Sequence, residues 1–71
     1  MRKFAVGYIN FFDNELVVEI VCASDWKEAI FNHSKMKNIE WGDYFYGADL
    51  EEFKRRCFNS DMMIDVVFIN N

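Results

Sequence analysis

The chain has no proline and only three glycines in 71 residues. That excludes a Pro/Gly-rich linker or a low-complexity tract, and it leaves few places for irregular backbone. Two cysteines, Cys22 and Cys57, are too few for a disulfide framework. They read as buried free thiols of a reducing compartment. The single histidine, His33, has no second ligand at metal spacing and no nucleophile beside it, so metal and triad chemistry lack their parts. Phosphate-cradling glycine loops and CxxC pairs are absent too. No apolar run approaches the ~20 residues of a membrane span. Asn10 and Asp13 interrupt the N-terminal MRKFAVGYINFF before it could serve as a signal peptide. These absences give the expectation of a soluble cytoplasmic protein that is not an enzyme, uses no cofactor or metal, and binds no membrane.

Apolar and aromatic residues are abundant. Just over half of the chain is hydrophobic, with eight Phe, three Tyr and two Trp. The length is that of one small domain, whose interior is thin. A net charge of −4 weighs against general nucleic-acid binding.

Lys3 to Ala23, KFAVGYINFFDNELVVEIVCA, alternates as a β-hairpin about a turn at Asp13-Asn14. Pairing Phe12 with Glu15 puts Ala5, Ile9, Phe11, Leu16, Val18, Ile20 and Cys22 on one wholly apolar face, which is the predicted core. Gly7 opposite Ile20 leaves room for a bulky side chain. Ser24 or Asp25 caps a helix that carries Trp26, Ala29, Ile30, His33 and Met36 on one face and runs to Lys37-Asn38. Phe31 falls off that face. Residues 39–48, IEWGDYFYGA, form an aromatic loop. Asp49 and Glu52 then open a second helix, with Leu50, Phe53 and Cys57 inward and Lys54, Arg55 and Arg56 outward. Met62 to Asn70 is a third strand, with Ile64, Val66 and Phe68 toward the helices. The expected fold is α+β: a three-stranded antiparallel sheet in order 2-1-3 with two helices on one face, β-β-α-α-β.

Two apolar surfaces exceed what so small an interior can hold. One is the loop, where Trp41, Tyr44, Phe45 and Tyr46 would anchor a partner and Asp43, Glu51 and Glu52 would form its polar rim. The other is the outer sheet face, on which Val6, Tyr8, Val17, Val21, Val67 and Ile69 would support a homodimer or larger oligomer, with Phe4, Phe12 and Met63 beside them. The sheet edges offer strand addition as a third contact mode. The basic run Lys54-Arg55-Arg56 reads as a solvated helix face. A weak single-stranded nucleic-acid binder that stacks bases on the loop is the alternative reading of that run.

The chain resembles the small accessory proteins encoded by bacteriophages, including host-takeover and anti-defence proteins of the anti-CRISPR kind. The features that carry this are a short acidic chain, the hairpin KFAVGYINFFDNELVVEIVCA leading into the capped helix SDWKEAIFNH, high Phe, Asn, Ile and Met usage, and the lack of a catalytic motif. The resemblance implies a viral inhibitor that occupies the surface of a host protein or protein complex in the host cytoplasm.

Overall fold

A computed structural model describes residues 1–69. Strands β1 (Arg2–Asn10) and β2 (Glu15–Ala23) form the hairpin. Helices α1 (Trp26–Asn32), α2 (Gly42–Phe45) and α3 (Leu50–Asn59) follow, and β3 (Met62–Ile69) comes next, the expected strand end at Asn70 lying outside the described residues. The sheet is antiparallel throughout, in the order β2-β1-β3. This is the expected α+β arrangement, with a third, one-turn helix where the aromatic loop was expected.

The hairpin register differs from the sequence reading by two residues. Asn10, not Phe12, pairs with Glu15. Four residues, 11–14, make the connection. Asn14 adopts φ +54° and its N–H donates to the Asn10 carbonyl at 2.8 Å. The Asn10 side chain accepts from the Phe12 N–H at 2.8 Å. Asparagine thus ends the ladder early by offering the backbone local partners. Phe11 and Phe12 leave the strand and are exposed.

A shift of two keeps every side chain on its face, but the buried face is the opposite of the one expected. Phe4, Val6, Tyr8, Val21 and Ala23 are buried, together with Met62, Ile64 and Val66 of β3. The predicted core set is therefore corrected. Phe11, Leu16, Val18, Ile20 and Cys22 are exposed, and Ala5 and Ile9 are half-buried. The inward direction of Ile64 and Val66 was read correctly. Their register opposite Tyr8 and Val6 then commits the Val6 face to the helices. Phe68 shares that inner parity but lies beyond the helices and is half-exposed, with the Phe4 ring 5.6 Å away.

Asp25 caps α1, its Oδ1 accepting from the Glu28 N–H at 2.9 Å. Glu28 in turn accepts from the N–H and hydroxyl of Ser24. The helix stops at Asn32, five residues before the expected end. His33 turns extended there, and its Nδ1 accepts the Lys35 N–H at 3.1 Å. Successive turns through Met36 and Ile39 continue the chain. Ala29, Ile30, His33 and Met36 are all buried, so the apolar spacing held although the helix did not. Asp49 caps α3 by accepting from the Glu52 N–H at 2.9 Å.

Candidate functional site: the outer sheet face

The aromatic segment is core rather than contact surface for most of its length. Trp41 is 3 % exposed, and its indole N–H donates to the Met36 carbonyl at 3.2 Å. Phe53 of α3 sits among Trp26, Trp41 and Phe45, with ring centroids 4.9 to 5.4 Å away. Tyr44 and Phe45 pack against this cluster. Only Tyr46 (85 % exposed), Asp43 and Glu51 remain at the surface as anchor and rim residues were expected to. Glu52 is half-buried and turned to its own helix. The missed signal is Phe53: one helix position that needs a large apolar lid, with four aromatics upstream to supply it.

The basic run is used within the chain. Lys54 pairs with Glu51 and Asp65, each at 3.4 Å. Arg55 and Arg56 both bind the Glu52 carboxylate. Arg56 also donates to the carbonyls of Asp43, Tyr44 and Tyr46, at 3.1, 3.3 and 2.8 Å. That triple contact satisfies carbonyls at the end of α2 that no further helical turn reaches, and it ties α2 to α3. Contacts between Glu52 and the two arginines hold its carboxyl below the usual range.

His33 is fully buried and structural. Its Nδ1 accepts from a backbone N–H, so Nε2 carries the proton and donates to the Val17 carbonyl at 3.1 Å. Cys57 is buried, and burial pushes its thiol up to about 12. Among the described residues no three His, Cys, Asp or Glu side chains gather as a metal site. No helix there is long and apolar enough to cross a membrane. An open hollow of about 380 Å³ between α3 and β3 is lined by Glu51, Lys54, Phe58, Met63 and Asp65. It pairs no nucleophile with a base.

The outer face of the sheet is what remains uncovered. It lies in four cross-strand rows: Cys22–Lys3–Ile69, Ile20–Ala5–Val67, Val18–Gly7–Asp65 and Leu16–Ile9–Met63. Leu16, Val18 and Ile20 are 59 to 63 % exposed, Val67 and Met63 about as much. The oligomer-face residues proposed from sequence divide accordingly. Val67 and Ile69 belong here. Val6, Tyr8 and Val21 are buried under the helices, and Val17 is half-buried on that inner side. The face carries two charged side chains. Lys3 lies at one end, and Asp65 is held toward its own chain by Lys54 and by the Val66 N–H at 2.9 Å.

On the central strand the two middle rows of this face are low, between the larger Lys3 and Ile9. The central strand contributes Ala5 and Gly7, flanked by larger side chains on both edge strands. Gly7 has no internal reason to be glycine. Its φ is not positive, and an added Cβ would meet only the Val18 Cγ2, at an ordinary 3.7 Å. Glycine inside a strand costs about 0.5–1 kcal/mol relative to alanine. It marks places where another backbone or ligand comes close.

The sheet edges are less available. On β2 the Val17 and Cys22 carbonyls accept from His33 and from the Asn32 amide, the latter at 2.9 Å. On β3 the Val66 N–H is taken by Asp65. Side chains that occupy edge backbone groups discourage strand addition.

No family model matches this chain, and neither the curated proteins nor the solved structures contain a significant match to it.

Proposed function

We propose that this protein is a non-enzymatic protein-binding module whose contact surface is the bare outer face of its sheet. One observation carries the reading. Leu16, Val18 and Ile20 stand 59 to 63 % exposed on a face shared with Met63 and Val67. Contiguous apolar surface of this kind on a soluble domain usually marks an interaction site. The bacteriophage-accessory resemblance supplies the kind of partner: a bacterial host protein or complex, inhibited by occlusion in the host cytoplasm. The loop becomes secondary in this reading. Trp41 anchors the domain's own core, and Tyr46 with Asp43 and Glu51 can extend a contact without centring it. A nucleic-acid role has less support, because Lys54, Arg55 and Arg56 are all engaged within the chain.

The test compares the wild-type chain with Ile20→Glu, a change on an exposed side chain that leaves the core intact. The wild-type protein retains a bacterial protein or another copy of itself in stoichiometric amount, and Ile20→Glu loses it while keeping its circular dichroism. Equal retention by both would remove the outer face from the binding surface.

A further inference from the structure

We propose that the outer face is closed by a second copy of this chain, packed sheet against sheet with the two β1 strands antiparallel and crossing at Gly7. This rests on the reading of that face as a protein-contact surface and names its occupant.

The first argument is charge. The apolar rows run between ends of opposite sign. Lys3 lies in the row at one end. At the other end Asp61 lies beside Phe11, whose N–H donates to the Asp61 carbonyl at 3.0 Å, with Asp13 in the adjoining loop. A face that is basic at one end and acidic at the other is complementary to itself when reversed. Antiparallel stacking brings Lys3 of each copy toward Asp61 of the other, about 27 Å along the strand.

The second argument is shape. The row midway between Lys3 and Phe11 is that of Gly7, the one place where the face lacks a Cβ without internal need. Reversal about that row sets Ala5 of one copy under Ile9 of the other, small against large. Ile20 then meets Leu16, and Val67 meets Met63.

The third argument is size. Three strands ~4.8 Å apart and four rows ~6.8 Å apart give a face of roughly 400 Å². A pair of copies therefore buries roughly 800 Å², below the 1,200–2,000 Å² of stable complexes, so the dimer is weak and reversible.

The experiment is sedimentation equilibrium from about 5 to about 500 µM. The wild-type chain should pass from monomer to dimer. Val18→Glu should stay monomeric with unchanged circular dichroism. Gly7→Ala should lower dimer affinity about 3–10-fold while raising the urea midpoint of the dilute monomer, opposite signs that a merely structural glycine does not produce. Lys3→Gln and Asp61→Asn should each weaken the dimer about 3–5-fold and the double variant little further, because they remove one shared contact. Exposed Cys22 should alkylate more slowly as concentration rises. A wild-type chain that stays monomeric throughout, with concentration-independent Cys22 alkylation, overturns the second copy. The binding-module reading survives that result if Ile20→Glu still loses a bacterial partner. A dimer that persists in Val18→Glu places the self-contact elsewhere and overturns this proposal, while the binding-module reading is decided by Ile20→Glu.

Discussion

Val6 and Gly7 are neighbours in the central strand and meet opposite surroundings. Val6 lies in the row between Glu19 and Val66 and is fully buried beneath the helices. Gly7 looks outward between Val18 and Asp65. The inner face carries Asn10, Glu15 and Glu19 among its apolar residues, yet it is the face the helices cover. The outer face, with fewer polar side chains, is left open. Covering is decided by where α1 and α3 can reach, not by which face has more apolar residues. Polar residues on the inner face lie at the margin and find local partners. Glu19 accepts from the N–H and hydroxyl of Ser34, and Asn10 caps the turn. An outer face this apolar has no such internal account, and that is why it reads as a contact surface.

Substitutions on the two sides should separate sharply. Phe53→Ala empties the centre of the aromatic cluster on the helical side and should cost about 3–5 kcal/mol. Small domains hold about 5–15 kcal/mol in total, so this variant should lose a large share of its stability, read as a sharply lowered urea midpoint. Ile20→Thr on the outer face should move the urea midpoint of the dilute protein by no more than about 0.5 kcal/mol. If Ile20→Thr costs as much as Phe53→Ala, the outer face is internal packing and the contrast fails.

Arg56 tests whether the helical side is held by more than apolar packing. Arg56→Ala removes three donations to the carbonyls of the α2 segment and should cost about 1–3 kcal/mol. Arg56→Lys should recover only part of this, since Arg56 reaches the α2 carbonyls with Nη1 while its Nε–H holds Glu52, and a single ammonium cannot serve both places. Amide exchange should quicken around residues 42–46 in both variants and stay unchanged in β1.

Several of these features were legible in the sequence and others were not, for identifiable reasons. The capping aspartates Asp25 and Asp49 work locally, so both helix starts were readable. The inward side of Ile64 and Val66 followed from alternation broken by Asp65; the order 2-1-3 followed from the apolar face Phe4-Val6-Tyr8 of strand one, which does adjoin β3 but lies under the helices. The buried face of the hairpin was not readable, because alternation gives two faces without saying which one the helices meet. The loop was misjudged for a related reason. Trp41, Tyr44 and Phe45 look like interface residues when counted along the chain, and only the distant Phe53 turns them inward. Tyr46 follows them by one position and escapes, because the turn at Gly47, with φ +64°, leads the chain away. His33 was read as structural, and its two hydrogen bonds agree, but its ending of α1 has no sequence signature.

The two cysteines report on the two sides without any loss of stability. Cys22 is exposed on the outer face, whereas Cys57 is buried on α3 with its thiol pushed up to about 12. At pH 8 Cys57 is therefore almost wholly the neutral thiol, and the thiolate is the nucleophile. The dilute folded protein should take up one equivalent of iodoacetamide rapidly, at Cys22, and the second only on unfolding. Rapid modification of both thiols in the native state would show that the helical side opens far more readily than its packing implies.

The smallest expected effect lies where the two sides meet, at Glu19. Hydrogen bonds from the Ser34 hydroxyl and N–H, aided weakly by the Lys37 charge and outweighing the opposing effect of burial, hold its carboxyl below the ordinary value of 4.5. A depressed folded value means that this contribution is fully present above the unfolded value and is lost as pH falls through the folded one. Because the group is exposed, the effect is modest and screened by salt. Ser34→Ala should therefore lower the urea midpoint slightly at pH 7, and the gap from wild type should shrink toward pH 3, where the carboxylate is lost in both proteins. A gap that stays constant across that range would assign Ser34 a packing role and leave the inner-face carboxylate without a structural partner of its own.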